Sequence, residues 1–342
     1  MKKIISRTLI SLTVLLLVIT VYLSTIGVKT DKFNSKIISQ IKKIEPKIEL
    51  RLNDVSATLD IFNFRINAKT ISTDLIYRDK IIKIETIKSK ISIKSLLIDK
   101  FALTGISIST KSLEIKDLIS FVRLLNNDPK LFITEQLIKG GYLVADLKLE
   151  FDELGNIKNN YRFNGLVRDG KISVFKRYNL DKIDFIFEIK EKDLKFNDIK
   201  LLLNNKNILI PELNVLKQNK EYSISGNLNT KNTSLTKNEI NNFINEEHLG
   251  LESQEISFSS KSNFKFEINK NLKIKNLVIK SDIDLNSLKL KNSFKLKDIF
   301  PKIKKDFIFK NQKIKLEYKK DDLSIVGAGE VFLQNEIDEI EY

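Results

Sequence analysis

The feature that most limits the possible folds of this chain is the alternation of apolar and polar residues that begins at Lys47. Successive side chains of a β-strand point to opposite faces, so this pattern predicts strands with one apolar and one polar face. Ile, Phe and Val suit such a pleated, half-buried surface. The clearest apolar positions are Leu147, Leu149, Phe151, Phe185, Phe187, Ile189, Phe264, Phe266, Ile268, Ile314, Leu316 and Tyr318.

Short turn signals separate these segments. Asp152 to Asn156, Asp169–Gly170 and Asn204–Asn205 are residue types that favour tight turns. The segment from Gly165 to Val174 is therefore interpreted as a strand, an Asp-Gly turn and a second strand. Gly327 to Gly329 interrupts a strand pattern and predicts a bulge or a tight bend. Short connections join antiparallel neighbours, so the sequence predicts a mainly antiparallel sheet.

A few short helices interrupt the strands. Apolar residues recur at helical spacing in Leu113 to Leu125 and Phe132 to Ile138, which predicts a helical insertion at about 111–140. Glu239 to Ile244 gives a weaker signal. Asp31 to Ile44 is predicted to form a basic amphipathic helix. That helix could lie in a membrane interface or cap the β-structure that follows it.

The N-terminus carries an uncharged apolar stretch from Leu9 to Val28, preceded by Lys2, Lys3 and Arg7. Its length suits a helix that crosses the hydrocarbon layer, and helices satisfy their own backbone groups in lipid. A cleaved signal peptide usually has a shorter core and a small-residue cleavage site. We therefore expect an uncleaved anchor in residues 1–30, and a single large domain in residues 31–342.

The positive residues before the span favour a cytoplasmic N-terminus. The bulk of the chain is then expected in the periplasm of a Gram-negative bacterium, beside the inner membrane. The formal net charge is +15, mostly from Lys that is interleaved with Glu and Asp. Arg is scarce and the basic residues are not clustered, which argues against nucleic acid as a partner. Solvated strand faces explain most of this charge, and contact with anionic head groups is expected near the anchor, at Lys29, Lys32, Lys36, Lys42 and Lys43.

The sequence lacks the residues that most enzymes use. It has no Cys and a single His, His248, which lies in a polar stretch. Metal sites usually need three or four converging ligands, and the carboxylates alternate with Lys on polar strand faces. We predict a protein that is not an enzyme and that needs no cofactor and no metal.

The apolar strand faces must be covered in some way. Two sheets could pack face to face around a dry core. Alternatively, one curved sheet could leave its apolar faces lining a groove that acyl chains fill, since each buried methylene contributes about 0.8 kcal/mol. Periodicity does not distinguish these two arrangements.

The order of parts resembles the AsmA-like proteins of Gram-negative bacteria, a group that includes TamB and YhdP. The resemblance rests on the span, the small helix DKFNSKIISQIKKI, the early strands PKIELRLNDVSATLDIFNFRINAKTI, and strand-turn units such as GLVRDGKISVF and EYSISGNLNTKN. It is greatest to the large YhdP-type members, around ISIKSLLIDKFALTGISISTKSLEIKDLISFVRLL. Those members are much longer, which is consistent with an N-terminal portion of such a protein.

The resemblance implies an anchored, elongated β-groove that passes phospholipid from the inner membrane toward the outer membrane. The apolar positions given above would line the groove, and membrane phospholipids would be the main partners. A structural or assembly factor for outer-membrane proteins is the alternative, in which exposed sheet edges pair with a client strand. Other envelope proteins would then be partners. A small lipopolysaccharide-pathway protein with a closed jelly roll fits the length and the helices less well.

Overall fold

The fold is mainly β, with one long apolar helix at the N-terminus and a large antiparallel sheet of eighteen strands. This agrees with the fold class predicted from the alternation. The computed structural model describes residues 2–31, 34–53, 55–77, 80–97, 103–125, 129–152, 156–174, 178–218, 221–241, 251–269, 273–291, 306–320, 322–333 and 336–342.

Apart from the first, the helices have eleven residues or fewer. Their bounds are α1 Lys2–Thr25, α2 Asn34–Ile44, α3 Ile93–Leu97, α4 Ile115–Leu125, α5 Pro129–Leu137 and α6 Lys237–Asn241. The amphipathic helix after the span and the two helices of the insertion at about 111–140 overlap their predicted ranges. Leu113 and Ile138, predicted to be helical, belong instead to strands, and α5 begins earlier than predicted, at Pro129. The helix predicted from Glu239 to Ile244 begins earlier, at Lys237, and residues 242–244 lie outside the described part of the chain.

The strands are β1 Val28–Thr30, β2 Glu49–Arg51, β3 Val55–Asp60, β4 Arg65–Tyr77, β5 Lys80–Ser92, β6 Leu103–Thr110, β7 Leu113–Glu114, β8 Ile138–Glu150, β9 Arg162–Val174, β10 Tyr178–Lys190, β11 Asp193–Leu203, β12 Lys206–Gln218, β13 Glu221–Thr236, β14 Glu255–Asn269, β15 Ile274–Leu290, β16 Phe307–Lys319, β17 Asp322–Leu333 and β18 Glu336–Glu341.

The chain divides into two compact units. Unit 1 comprises Met1–Val167 and Glu188–Glu191, and unit 2 comprises Arg168–Phe187 and Lys192–Tyr342. The paired strands β9 and β10 each contribute one part to each unit.

Unit 1 contains a packed hydrophobic core. Its strands pair antiparallel in the order β1, β3, β4, β5, β6, β8, with β2 paired to β4 and β7 to β8. Ile37 and Ile41 of α2 and Phe121 of α4 are buried in the same cluster as Tyr77 and Phe151. Because its apolar residues are enclosed there, α2 packs on the β-structure, which is the capping interpretation.

Unit 2 is a meander of antiparallel strands from β11 to β18, each paired with the next along the chain. The connection between β11 and β12 is two residues long, since Leu203 pairs with Lys206. Asn204 and Asn205 both have positive φ, 47° and 67°, as a type I′ hairpin turn requires. This turn was predicted correctly.

Residues with positive φ also occur inside strands, where they change which residues face the apolar side. In β11, Leu194 and Phe196 share a face with Ile199 and Leu201, because Asp198 with φ 53° shifts the alternation by one residue. Asn232, Asn276 and Asn311 occupy equivalent positions in β13, β15 and β16, next to register shifts. Asn and Asp tolerate this conformation better than most residues.

A positive-φ residue inside a strand also corrects the turn predicted at Asp169–Gly170. Asp169–Gly170 is not a turn between two strands, because β9 continues through it from Arg162 to Val174. Asp169 has φ 50°, and its backbone N–H donates to Asp184 Oδ1 on β10 at 2.9 Å. Asp and Gly tolerate positive φ inside a strand as well as in a turn, so local sequence does not separate the two.

Candidate functional site

The residues predicted to line a groove are mostly half-buried. Phe151 and Phe187 are the two enclosed ones, at 6% and 5% exposed, and Phe151 belongs to the core of unit 1. The other ten are only partly covered, and they are Leu147, Leu149, Phe185, Ile189, Phe264, Phe266, Ile268, Ile314, Leu316 and Tyr318. Leu149 packs against the unit 1 core, whereas the residues of β14 and β16 lie in unit 2.

In unit 2 these residues are parts of one continuous apolar face. Directly paired residues of adjacent strands point to the same side of a sheet. The pairings therefore align one side chain from each of seven consecutive strands, β11 to β17, in a single cross-strand row. This row, called here the apolar row, consists of Phe196, Leu213, Gly226, Phe264, Ile279, Tyr318 and Leu323.

Aromatic rings pack side by side on this face. The rings of Phe264 and Phe266 stack with centroids 6.0 Å apart, and Phe185 meets Phe196 edge-on at 5.7 Å. Gly226 provides the space for Phe264: a Cβ atom at residue 226 would lie 2.9 Å from the ring carbon Cζ and 2.7 Å from the Glu212 carbonyl oxygen. The rings fit together laterally and still keep part of their surface exposed.

Hydroxyl groups also lie on the apolar side, which the alternation of apolar residues does not reveal. Thr230 and Ser260 are paired directly, with their oxygens 2.9 Å apart, and the Ser281 hydroxyl donates to Ser262 Oγ at 2.8 Å. These hydroxyls carry no charge, and because they bond to one another they do not need water as a partner. The sequence marks only the two serines of β14: Ser260 and Ser262 alternate with the polar-face residues in the same way as Phe258 and Phe264.

The opposite face of unit 2 is polar and charged. Lys280 Nζ lies 3.1 Å from Glu317 Oε1, and Lys275 Nζ lies 3.0 Å from Glu221 Oε1, each pair joining different strands. Lys265, between the two stacked phenylalanines in sequence, is exposed. The sheet of unit 2 is thus amphipathic across its thickness.

The residues predicted to contact head groups are spread over the start of unit 1. Lys29 is exposed on β1, and Lys42 and Lys43 are exposed in the last turn of α2. Lys36 lies on α2, and Lys32 is outside the described residues.

The helix before these lysines, Ile4–Thr25, is long and apolar enough to cross a membrane, with a mean hydropathy of 2.3. At 1.5 Å per residue, 22 residues span about 33 Å.

The side chains that could bind a metal ion stay apart in the part of the chain that the structure describes. Within that part, no group of three or more His, Asp or Glu side chains converges as a metal site would require. His248 is outside the described residues. The pKa of Glu239 is lowered chiefly by the Thr236 backbone N–H, and hydrogen bonding to Asp306 raises the pKa of Lys289. Both are ordinary structural contacts.

Comparisons with known proteins identify no family for this chain. No protein-family model, no curated protein and no solved structure matches it. The resemblance to AsmA-like proteins therefore remains a prediction from the order of parts, and the function must be argued from the amphipathic sheet and the N-terminal helix.

Proposed function

We propose that this protein is anchored in the bacterial inner membrane by α1 and binds phospholipid acyl chains on the apolar face of unit 2. The bulk of the chain lies in the periplasm, and the protein moves phospholipid toward the outer membrane. The observation that carries this proposal is the apolar row from Phe196 to Leu323, whose strands contribute large side chains that stay half-exposed.

The physical basis is the cost of leaving this face in water. Burial of apolar surface contributes roughly 25 cal/mol per Å², and each methylene of an acyl chain contributes about 0.8 kcal/mol when it leaves water. In the core of unit 1, apolar side chains cover one another and are almost fully buried. On the apolar face of unit 2, Phe264, Phe266 and Leu316 stay partly exposed. This difference in exposure favours a ligand of hydrocarbon character that covers the face of unit 2.

The membrane helix gives such a face access to lipid. All residues from Ile4 to Thr25 lie on the surface of the protein rather than in its core, as expected for a helix whose surroundings are lipid. A protein attached beside a bilayer meets phospholipid at high local concentration, which supports lipid over a soluble apolar compound as the ligand.

Photocrosslinking in a Gram-negative host tests the proposal. Benzoylphenylalanine replaces Phe264 on the apolar face or Lys265 on the polar face of the same strand, and adducts are identified by mass spectrometry. We expect phospholipid adducts at residue 264 and few at residue 265. Equal adducts at both positions, or none at residue 264, would contradict lipid binding on this face.

A pair of neighbouring substitutions provides a second test. Phe185→Glu adds a charge to the apolar side of β10, and Ile186→Glu adds the same charge to the other side, where Ile186 is 52% exposed. We expect Phe185→Glu to reduce lipid adducts at residue 264 several-fold with little loss of folded protein, and Ile186→Glu to leave them unchanged.

The alternative function, assembly of outer-membrane proteins by strand addition, finds less support. The strand β18 carries Glu336, Asp338, Glu339 and Glu341, and charged side chains on a strand discourage edge pairing. Protein adducts in place of lipid adducts in the same photocrosslinking experiment would favour this alternative.

A further inference from the structure

A second surface, on the polar side of unit 1, shows a concentration of positive charge. Direct cross-strand pairing aligns Lys29, Ser56, Lys69, Lys88, Ser107 and Lys148 in one row across β1, β3, β4, β5, β6 and β8. All four lysines are exposed. We call them the lysine row. Five strand spacings separate its ends, a distance of about 24 Å.

The arrangement is electrostatically unfavourable by itself. Lys69 and Lys88 are direct cross-strand partners, and like charges in that position destabilise a sheet. Among the residues that the structure describes, none of the four lysines has a carboxylate within ion-pair distance. The polar face of unit 2 differs, because cross-strand lysines there meet glutamates.

The surface around the lysine row is concave. A cavity of about 960 Å³ is lined by Lys69, Lys88 and Lys148 of the row and by the two serines. Arg65, Lys90, Lys94 and Lys158 add further positive charge, against two acidic lining residues, Glu150 and Asp152. The net charge of this surface is therefore strongly positive.

The row begins next to the membrane helix. Helix α1 ends at Thr25, Gly27 packs against the backbone of Ala57 on β3, and Lys29 follows on β1. The row thus extends from Lys29, four residues after the end of α1, to Lys148 on β8 in unit 1. Its nearest source of concentrated negative charge is the surface of the bilayer that α1 would cross.

We propose that the lysine row binds the anionic phospholipid head groups of the membrane that holds α1, so that the polar face of unit 1 lies against the bilayer surface. This inference uses the proposed function only in placing α1 in a membrane. It assigns the polar face of unit 1 to head groups, and it does not depend on acyl-chain binding by unit 2. Lysine acts here as a point charge, so the site selects negative charge more than head-group shape.

Lysine acetylation of the full chain in nanodiscs tests this. The nanodiscs contain phosphatidylcholine alone, or phosphatidylcholine with about one-third phosphatidylglycerol, and acetylation is followed by mass spectrometry. With about 1 kcal/mol for each basic residue at an anionic surface, we expect acetylation of Lys69, Lys88 and Lys148 to slow about fivefold in the anionic nanodiscs. Exposed Lys111 and Lys116 near α4 should not change, and high salt should abolish the protection.

Either of two kinds of result would overturn the proposal. The first is equal acetylation of the row in both kinds of nanodisc, or equal protection of Lys111 and Lys116. The second is protection of the row by free glycerol phosphate in phosphatidylcholine nanodiscs, which would indicate a site for a soluble anion. Failure of the photocrosslinking at residue 264 would leave this outcome unaffected, so the two proposals fail separately.

A matched pair of variants on β5 sharpens the test. Lys88→Gln removes the central charge of the row, and we expect the protection of Lys69 and Lys148 to fall about fivefold because the lysines hold the face against the membrane jointly. Lys83→Gln removes another exposed lysine of the same strand, whose direct cross-strand partner is Asp74. In this variant the protection of Lys69 and Lys148 should persist. Loss of protection in both variants would contradict a specific role of the row.

Discussion

The side chain of Gln312 fills the space opposite Gly329 across the bulge between β16 and β17. Its amide nitrogen donates to the backbone oxygens of Lys310 and Glu330, both at 2.9 Å, and its oxygen accepts from the Tyr342 hydroxyl at 3.3 Å. The residue is 1% exposed and lies on the side of the sheet that carries the apolar row. The bulge predicted from Gly327 to Gly329 is present, but the extra residue belongs to the partner strand.

We expect Gly329→Ala to destabilise unit 2, because a Cβ atom there would collide with the Gln312 amide. Overpacking of this kind costs about 1–3 kcal/mol in the free energy of unfolding. Denaturant unfolding of the full chain in detergent, followed by circular dichroism, measures it. Gly105→Ala is the control, since a Cβ atom there has its nearest neighbour at 3.5 Å. An equal loss of stability in both variants would contradict the assignment.

Gly226 and Phe264 are expected to be energetically coupled. Gly226→Val should displace the Phe264 ring and lower the free energy of unfolding, and the loss should shrink when Phe264 is replaced by Ala in the same chain. Contacting residues typically show coupling energies of about 0.5–3 kcal/mol. A double-mutant cycle measures this, and simple additivity of the two losses would show that the ring does not depend on the space at residue 226.

Phe121 and Phe264 should respond differently to truncation. Phe121 is 5% exposed and packs edge-on against Tyr77 at 6.2 Å, so Phe121→Ala should cost about 3–5 kcal/mol in the free energy of unfolding. Phe264 is only half-buried, and Phe264→Ala should cost clearly less. Hydrogen exchange in units 1 and 2, compared between the two variants, reports the loss. A larger effect at residue 264 would indicate that the apolar face of unit 2 is a closed core.

The strand residues with positive φ should prefer glycine to alanine. Asn232 has φ 44° beside a register shift in β13, and a left-handed conformation costs an ordinary residue about 1–2 kcal/mol. We expect Asn232→Ala to lower the free energy of unfolding by about 1 kcal/mol, while Asn232→Gly should change it little. Thermal unfolding of both variants decides this, and equal stability would show that the bulge relaxes without strain.

Glu239 gives unit 2 a contribution to stability that depends on pH. The Thr236 backbone N–H donates to Glu239 Oε2 at 2.8 Å, and this bond, with smaller help from Lys206, holds the pKa of the carboxyl below its usual range. A lowered pKa in the folded state stabilises it above the unfolded-state pKa, and this contribution is lost as the pH falls through the folded-state pKa. In Glu239→Gln, the acid side of the stability profile should become flatter. An NMR titration of Glu239 that gives an ordinary pKa would contradict this.

Much of the fold follows from local sequence. The Asn204–Asn205 turn is specified by two residues that tolerate positive φ. The helix from Asn34 to Ile44 follows from the spacing of its apolar residues, and α1 from an uninterrupted apolar stretch. Each of these signals lies within one turn or one helix, so no knowledge of distant residues is needed to interpret it.

The surfaces proposed to bind lipid depend on relationships between residues that are distant in sequence. Asp169–Gly170 has the composition of a turn, yet β9 continues through it, with Asp169 at positive φ and bonded to Asp184 on β10. Phe151 and Phe264 have the same alternation around them, yet Phe151 is buried in the core cluster of unit 1 and Phe264 is half-exposed. Periodicity specifies which side a residue faces, whereas burial depends on what covers that side.

The sequence by itself determined the apolar N-terminal helix, the antiparallel strands and the amphipathic character of each strand, because these follow from residue spacing along the chain. Only the tertiary structure decided which side chains share a row. Lys69 and Lys88 are 19 positions apart and become neighbours through the register of β4 and β5, and Phe196 joins Leu323 in one row through six successive pairings. Register is set by bulges and turns acting together over many strands, so it is a property of the whole sheet.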